Sequence, residues 1–303
     1  MKAISIDYVS TPSALQYMAQ AFKPSHGWKA ERGLPNLCLT WRDFQIDSAS
    51  AESLMSVTDC RTPGLAQNVQ VLAPHLTGFR LLIVMLTHPS WPLPIWGALQ
   101  VRNRLILHHP LVGNAKYTLT TMPCAWRALE KGLEIDLHTQ LLQEDVCVWE
   151  SVVTFYYRGR FGTLAEHGAN IATPFNAPQL TEQLETIWEG RVNGSRRWKF
   201  GRLTGDYNGL HQWDFYARRF GFPAAFAHPQ RLVAQCLVQI ADLTSEAQRL
   251  DLWIKGPVLY DANVSLRRWQ SPTGSNMNWG LWNKGDDRPA LIGSWTAIIG
   301  CAS

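Results

Sequence analysis

Charge is scarce in this 303-residue chain: Asp, Glu, Lys and Arg together make up 17% of it, and the formal net charge is only +4. No dense basic stripe stands out, so no nucleic-acid partner is expected. Long hydrophobic runs are also missing. The longest, residues 81–86, is far too short to cross a bilayer, and no membrane span is expected. The N-terminus has no basic-then-apolar leader pattern. Cys38, Cys60, Cys124, Cys147, Cys236 and Cys301 are scattered without a CxxC pair. That spacing excludes a zinc knuckle or disulfide framework and reads as reduced, mostly buried thiols, which with the missing leader suggests a cytoplasmic protein. There is no HExxH, no P-loop, no GxGxxG after a strand and no GxSxG elbow, which removes the zinc-hydrolase, nucleotidase, dehydrogenase and nucleophile-elbow readings. His108 and His109 are neighbours on an expected strand and face opposite sides, which disfavours joint metal binding. No metal and no cofactor is called for.

What is present is a globular composition, 46% hydrophobic with fourteen tryptophans, enough for a substantial core in one large or two ordinary domains. Residues 9–21 suit a helix capped by Ser10, Thr11 or Ser13, and residues 43–56 a short strand followed by a helix. Leu76, Phe79, Leu82, Ile83 and Leu86 mark a buried helix that stops at His88-Pro89. Four strand-like runs follow, over residues 98–108, 115–121, 133–142 and 146–157, with a clear period of two at Leu133, Ile135 and Leu137. Residues 161–178, rich in Gly, Ala, Asn and Pro, read as a linker, and residues 180–188 as a short helix. A second apolar helix, carrying Leu232, Val233, Leu237 and Ile240, is followed by four more strand-like runs over residues 250–259, 262–270, 277–283 and 290–299. A helix and then four strands therefore occur twice. An apolar helix is most simply buried when such a sheet wraps around it, so the fold class expected is α+β in two tandem halves, residues 1–165 and 166–303.

Chemistry concentrates in the stretch Gly205-Asp206-Tyr207-Asn208-Gly209-Leu210-His211. Glycine at each end suggests a tight turn, and Leu210, Trp213, Ala217 and Phe220 recur at helical spacing, which puts His211 near a helix start. Taken singly, Asp206 and Asn208 suit Asx turns or caps, and His211 an exposed helical position. Together they can point into one small space, where a carboxylate and an imidazole share a water. One takes a proton from it and one later returns a proton, which is hydration or dehydration in outline.

The segment Phe200-Gly201-Arg202-Leu203-Thr204-Gly205-Asp206-Tyr207-Asn208-Gly209-Leu210-His211 resembles the signature of the MaoC-like, or hydratase-2, family of hot-dog acyl-thioester hydratases. The likeness continues through Tyr216-Ala217-Arg218-Arg219-Phe220-Gly221-Phe222-Pro223 and Ala227-His228. The resemblance implies a double hot-dog fold and interconversion of trans-2-enoyl and (R)-3-hydroxyacyl thioesters of coenzyme A or acyl carrier protein. It implies that Asp206 and His211 activate the water and that Asn208 orients them. Gly205, Gly209, His228, Gln230 and Arg202 are the accompanying substrate-binding candidates. Other cations around the motif, Arg196, Arg197, Lys199, Arg218 and Arg219, can meet carrier phosphates or simply form a solvated face. The first half has no matching Gly-Asp-x-Asn…His segment, and by analogy it shapes an acyl tunnel. The family commonly has proline where this chain has Gly209, and His-Gly where it has His228-Pro229. Proline lacks the N–H that would stabilise a thioester enolate, so either a neighbour such as Gln230 supplies the donor or activity is altered. A thioesterase on the same fold and a non-catalytic acyl-thioester binder are the alternatives. Hot-dog domains pair through their sheets, and the two halves can satisfy each other within one chain or form a further homodimer.

Overall fold

The structure, a computed structural model, describes residues 3–46, 48–57, 69–168, 176–240, 247–271 and 276–298. Among these, twelve strands join in one sheet. The first group is β1 (Ile4–Tyr8), β2 (Leu37–Phe44), β3 (Leu99–Leu107), β4 (Tyr117–Leu129), β5 (Gly132–Gln143), β6 (Val146–Arg158) and β7 (Ala165–Gly168). The second is β8 (Glu185–Arg191), β9 (Gln248–Ile254), β10 (Asn263–Gln270), β11 (Met277–Asn283) and β12 (Leu291–Ala297). Seven helices accompany them: α1 (Ala14–Ala21), α2 (Ser48–Val57), α3 (Ala73–Thr77), α4 (Phe79–Thr87), α5 (Arg197–Thr204), α6 (Asp214–Arg219) and α7 (Pro229–Gln239).

The order of strands repeats. In the first group, β2 precedes the α3–α4 helices and the strands lie side by side as β2-β4-β5-β6-β3. In the second, β8 precedes α7 and the strands lie as β8-β10-β11-β12-β9. Each is one strand, a helix and four more strands arranged first-third-fourth-fifth-second. Extra pieces are β1, parallel to β2, and β7, which pairs with β4 off the main path. The two groups join where β3 and β9 pair antiparallel from Arg102↔Trp253 to Leu107↔Gln248.

Alternation along the strands decides what each face holds. Leu133, Ile135 and Leu137 of β5 turn to the core, together with Leu81, Leu82 and Met85 of α4 and Leu232, Val233 and Leu237 of α7. The opposite face of β5 carries Glu134 and Asp136, both buried, which meet Arg102 and Arg127 from β3 and β4. On the same outer side of the second group, Trp253, Trp269, Trp282 and Ile292 form a smaller cluster under Ala177 and Leu184.

Several expectations need correction. Residues 180–188 are not a helix, since from Glu185 the chain is an edge strand paired with β10. Trp188 opposes Leu266 and Thr186 opposes Arg267, so Ile187 is bulged out of the ladder. Ile187 and Trp188 therefore both pack on the core, and the period of two that would have revealed a strand is erased. The strand expected to end at 121 runs on to Leu129 because a bulge between Pro123 and Ala125 accommodates the proline. Within the expected linker, residues 165–168 form β7. The helix expected from residue 210 is broken into a single 3-10 turn, Gly209–His211, and the short α6. Of the cysteines, Cys236 is buried and Cys38, Cys124 and Cys147 are half-buried, while Cys60 and Cys301 lie outside the described residues.

Candidate active site

Helix α5 ends at Gly205, whose φ of 75° is left-handed and whose N–H donates to the Gly201 carbonyl at 2.8 Å. A side chain there would be strained, and its Cβ would sit 2.5 Å from Arg80 Cγ and 2.7 Å from the Tyr17 hydroxyl. That hydroxyl donates to the Gly205 carbonyl at 2.7 Å, so α1 holds the turn in place. Gly209 serves differently from the expectation of a second left-handed residue. It is absent from the positive-φ glycines, and what it provides is room: a Cβ would come within 2.7 Å of the Tyr216 ring.

Between the two glycines, each polar side chain fixes the next step of backbone. Thr204 Oγ1 accepts from Asp206 N–H at 3.1 Å, Asp206 Oδ1 from Asn208 N–H at 2.9 Å, and Asn208 Oδ1 from Leu210 N–H at 3.1 Å. These are Asx and Ser/Thr turns in series, and they deliver His211 in the 3-10 turn with its N–H on the Asn208 carbonyl at 3.0 Å. Asp206, Asn208 and His211 thus come together as the motif suggests, with Asn208 acting on His211 through the backbone.

Two hydrogen bonds settle the histidine tautomers. His211 Nδ1 lies 3.0 Å from the Phe226 carbonyl, which can only accept, so Nδ1 carries the proton and Nε2 presents a lone pair. His228 Nδ1 accepts the Gln230 N–H at 3.1 Å as the cap of α7, so the His228 proton sits on Nε2 and is donated to Asp206 Oδ2 at 3.1 Å. Phe79, Phe200 and the His211 ring surround His228, with the two imidazole centroids 4.7 Å apart. Burial and then the neighbouring His228 push the His211 imidazole down to about 4. Burial works against the Asp206 carboxylate, but the hydrogen bonds it accepts, first from His228 and also from the Asn208 N–H, outweigh it and hold the group below its ordinary value. At neutral pH the pair is therefore a carboxylate beside a neutral imidazole, both able to accept.

Asp206, Asn208, His211 and His228 line one cavity of about 290 Å³. Its far wall comes from β3 and β6, through Leu99, Gln100 and Phe155, and its rim includes Arg158 and Lys255. A narrow apolar lobe of about 70 Å³ adjoins it, between Met18 and Ala21 of α1 and Ile83 and Leu86 of α4. The ligand atoms of Asp206, His211 and His228 lie within 4.8 Å of one another; with both His228 nitrogens engaged, Asp206 and His211 are the two left to share a water.

The remaining candidates are dispersed. Pro229 begins α7 as its first residue, where its missing N–H is harmless to the helix. The Gln230 N–H, expected as a substitute donor, is taken by His228. The Gln230 side chain is fully buried, and its amide atoms have no hydrogen-bond partner among the described residues. Arg202 is exposed and lines a different cavity, together with Lys199. Tyr17, Phe79, Gln100, Arg158 and Lys255 were missed from the sequence. They lie far from the motif along the chain, and no local pattern marks them.

No protein-family model matches the chain. It is 24% identical over 233 residues to the 3-hydroxyacyl-thioester dehydratase X of Mycobacterium tuberculosis, covering 77% of this chain and 80% of that relative. Among solved structures it is similar to HtdX of Mycobacterium tuberculosis, with a TM-score of 0.69 at 21% identity, over 86% of this chain and 100% of the other. A MaoC-like dehydratase from Phytophthora capsici gives a TM-score of 0.67 at 14% identity, over 88% of this chain and 96% of the other.

Proposed function

We propose that this chain, which has the double hot-dog fold of the MaoC-like dehydratases, interconverts trans-2-enoyl and (R)-3-hydroxyacyl thioesters by adding or removing water at Asp206 and His211. The observation that carries this reading is the pair of acceptors, the Asp206 carboxylate and His211 Nε2, facing one cavity. The dehydratase relative supports the same chemistry. A water that donates one hydrogen to each acceptor turns a lone pair towards the substrate. Its oxygen bonds to C3 as one O–H breaks, the π electrons move onto the thioester as an enolate, and the proton is returned to C2. Both acceptors hold a proton weakly, which suits a proton that must leave again.

The enolate needs a donor. Pro229 has none and the Gln230 N–H is engaged, but Asn208 offers one. Its Oδ1 is fixed by Leu210 N–H, which leaves Nδ2 as the donor this cavity-lining side chain can present. The rim cations Arg158 and Lys255 suit the phosphates of coenzyme A or of an acyl carrier's prosthetic arm. We read the strand groups β1–β7 and β8–β12 as two hot-dog halves, with the boundary after Gly168 and not at residue 165 because β7 pairs with β4, the first half having lost the motif and serving as a wall for the acyl chain.

The test is loss of enoyl absorbance when trans-2-enoyl thioesters of several lengths meet the protein, with the product's stereochemistry determined. Turnover to the (R)-3-hydroxyacyl thioester is expected, and release of free thiol would instead mean a thioesterase. The absent N–H at Pro229 favours a second reading, a binder without turnover, and acyl-thioester binding with no hydration at any chain length would establish it. The pH profile is a separate prediction. Since His211 must be unprotonated to accept, kcat/KM should hold through neutrality and fall only as pH drops through about 4, not near the ordinary histidine value. An acid limb between pH 6 and 7 would contradict this assignment.

A further inference from the structure

A second cavity, of about 780 Å³, is lined in part by α5 and shares no lining residue with the one that holds Asp206 and His211. Three cations line it: Arg80 from α4, and Lys199 and Arg202 from α5. Lys199 and Arg202 are three residues apart on one helix, so they lie side by side and repel. Among the described residues, none of the three forms an ion pair with a carboxylate. The acid on the cavity wall, Asp43, is held by Lys116 at 3.1 Å. Ser10, Thr11 and Ser53 line the same space.

We propose that this cavity binds a small organic phosphate, at a site separate from the thioester cavity. Cations of one sign gathered in a concave, mostly polar site focus a positive potential, and a phosphate relieves their mutual repulsion. Arginine adds a planar fork that matches phosphate oxygens. Arg80 is already immobilised, with one Nη donating to the Arg202 carbonyl at 2.8 Å and the other to the Tyr17 hydroxyl at 3.4 Å. Ordering it for a ligand therefore costs little entropy. The volume is far larger than inorganic phosphate requires, and Trp41 and Phe44 lie in the wall to meet an organic moiety.

Calorimetric titration of the full chain with adenosine 3′,5′-bisphosphate tests this without any need for turnover. Binding is expected, and Lys199→Ala with Arg202→Ala should weaken it by about tenfold or more. Both residues are exposed, so the variant should fold, and the single charge reversal Arg202→Glu offers a second check with the same expected direction. Since the rim of the thioester cavity can also meet these phosphates, Arg158→Ala with Lys255→Ala is titrated alongside, and it should change the affinity of the Lys199- and Arg202-dependent site by no more than about twofold. Inorganic phosphate in a parallel titration identifies the source: equal affinity would assign the site to free phosphate, and weaker affinity to an organic one. The proposal is overturned by the absence of binding, by unchanged affinity in the Lys199 and Arg202 variants, or by loss confined to the Arg158 and Lys255 variant.

Discussion

Replacing Asp206 by Asn should lower kcat for hydration by about two to four orders of magnitude while leaving the chain folded. The amide matches the carboxylate in shape but not in hydrogen bonding. Both oxygens of Asp206 accept from N–H donors, Oδ1 from Asn208 and Oδ2 from His228. Whichever way an asparagine is turned, its NH₂ confronts one of those donors. His228 cannot relieve the conflict by moving its proton, because its other nitrogen already accepts from Gln230. The variant thus loses the negative charge and disturbs the turn that carries His211. Steady-state enoyl absorbance, with circular dichroism as the control for folding, would measure it. Activity within about tenfold of the parent would mean that Asp206 does not take part in the proton transfer.

The largest effect on stability is expected on the opposite face of the sheet. Asp136 accepts both Nη groups of Arg127 at 2.7 Å and the Thr154 hydroxyl at 2.7 Å, while Glu134 bridges Arg127 and Arg102. The Asp136 side chain is 0% exposed and that of Arg127 6%. Asp136→Ala deletes one carboxylate and leaves two buried guanidiniums sharing Glu134, one positive charge in excess away from water, which should cost about 3–5 kcal/mol. Exchanging Arg127 and Asp136 together for Met and Leu should be much nearer neutral, because the Arg102–Glu134 pair that remains is balanced. Urea denaturation of both variants gives the comparison. A loss below about 1 kcal/mol in the single variant would show that solvent reaches this network.

Sequence and structure agree where a pattern is local. The alternation at Leu133, Ile135 and Leu137 is carried by a long, regular strand, and the apolar face of α7 by an unbroken helix. Where a bulge shifts the register, as at Ile187 and beside Pro123, periodicity fails, although the strand continues through pairing with a distant neighbour. The same divide runs through the site. Asp206, Asn208 and His211 fall within six residues and fix one another through the backbone, so their grouping could be read directly. Tyr17 lies 188 residues from the Gly205 carbonyl that it holds, and only folding brings the two together. His228 was picked out as a substrate-binding candidate, but its position as the donor to Asp206 depends on the cap of α7, which spacing alone does not reveal.

The pairing of β3 with β9 has a consequence for how the site comes into being. One wall of the cavity rises from strands that precede the motif and the other from the motif itself, and a single polypeptide supplies both. Two separate hot-dog subunits would have to find each other, and their sites would dissolve on dilution. Here the partner surface is tethered, so its local concentration is set by the length of the chain, not by the amount of protein present.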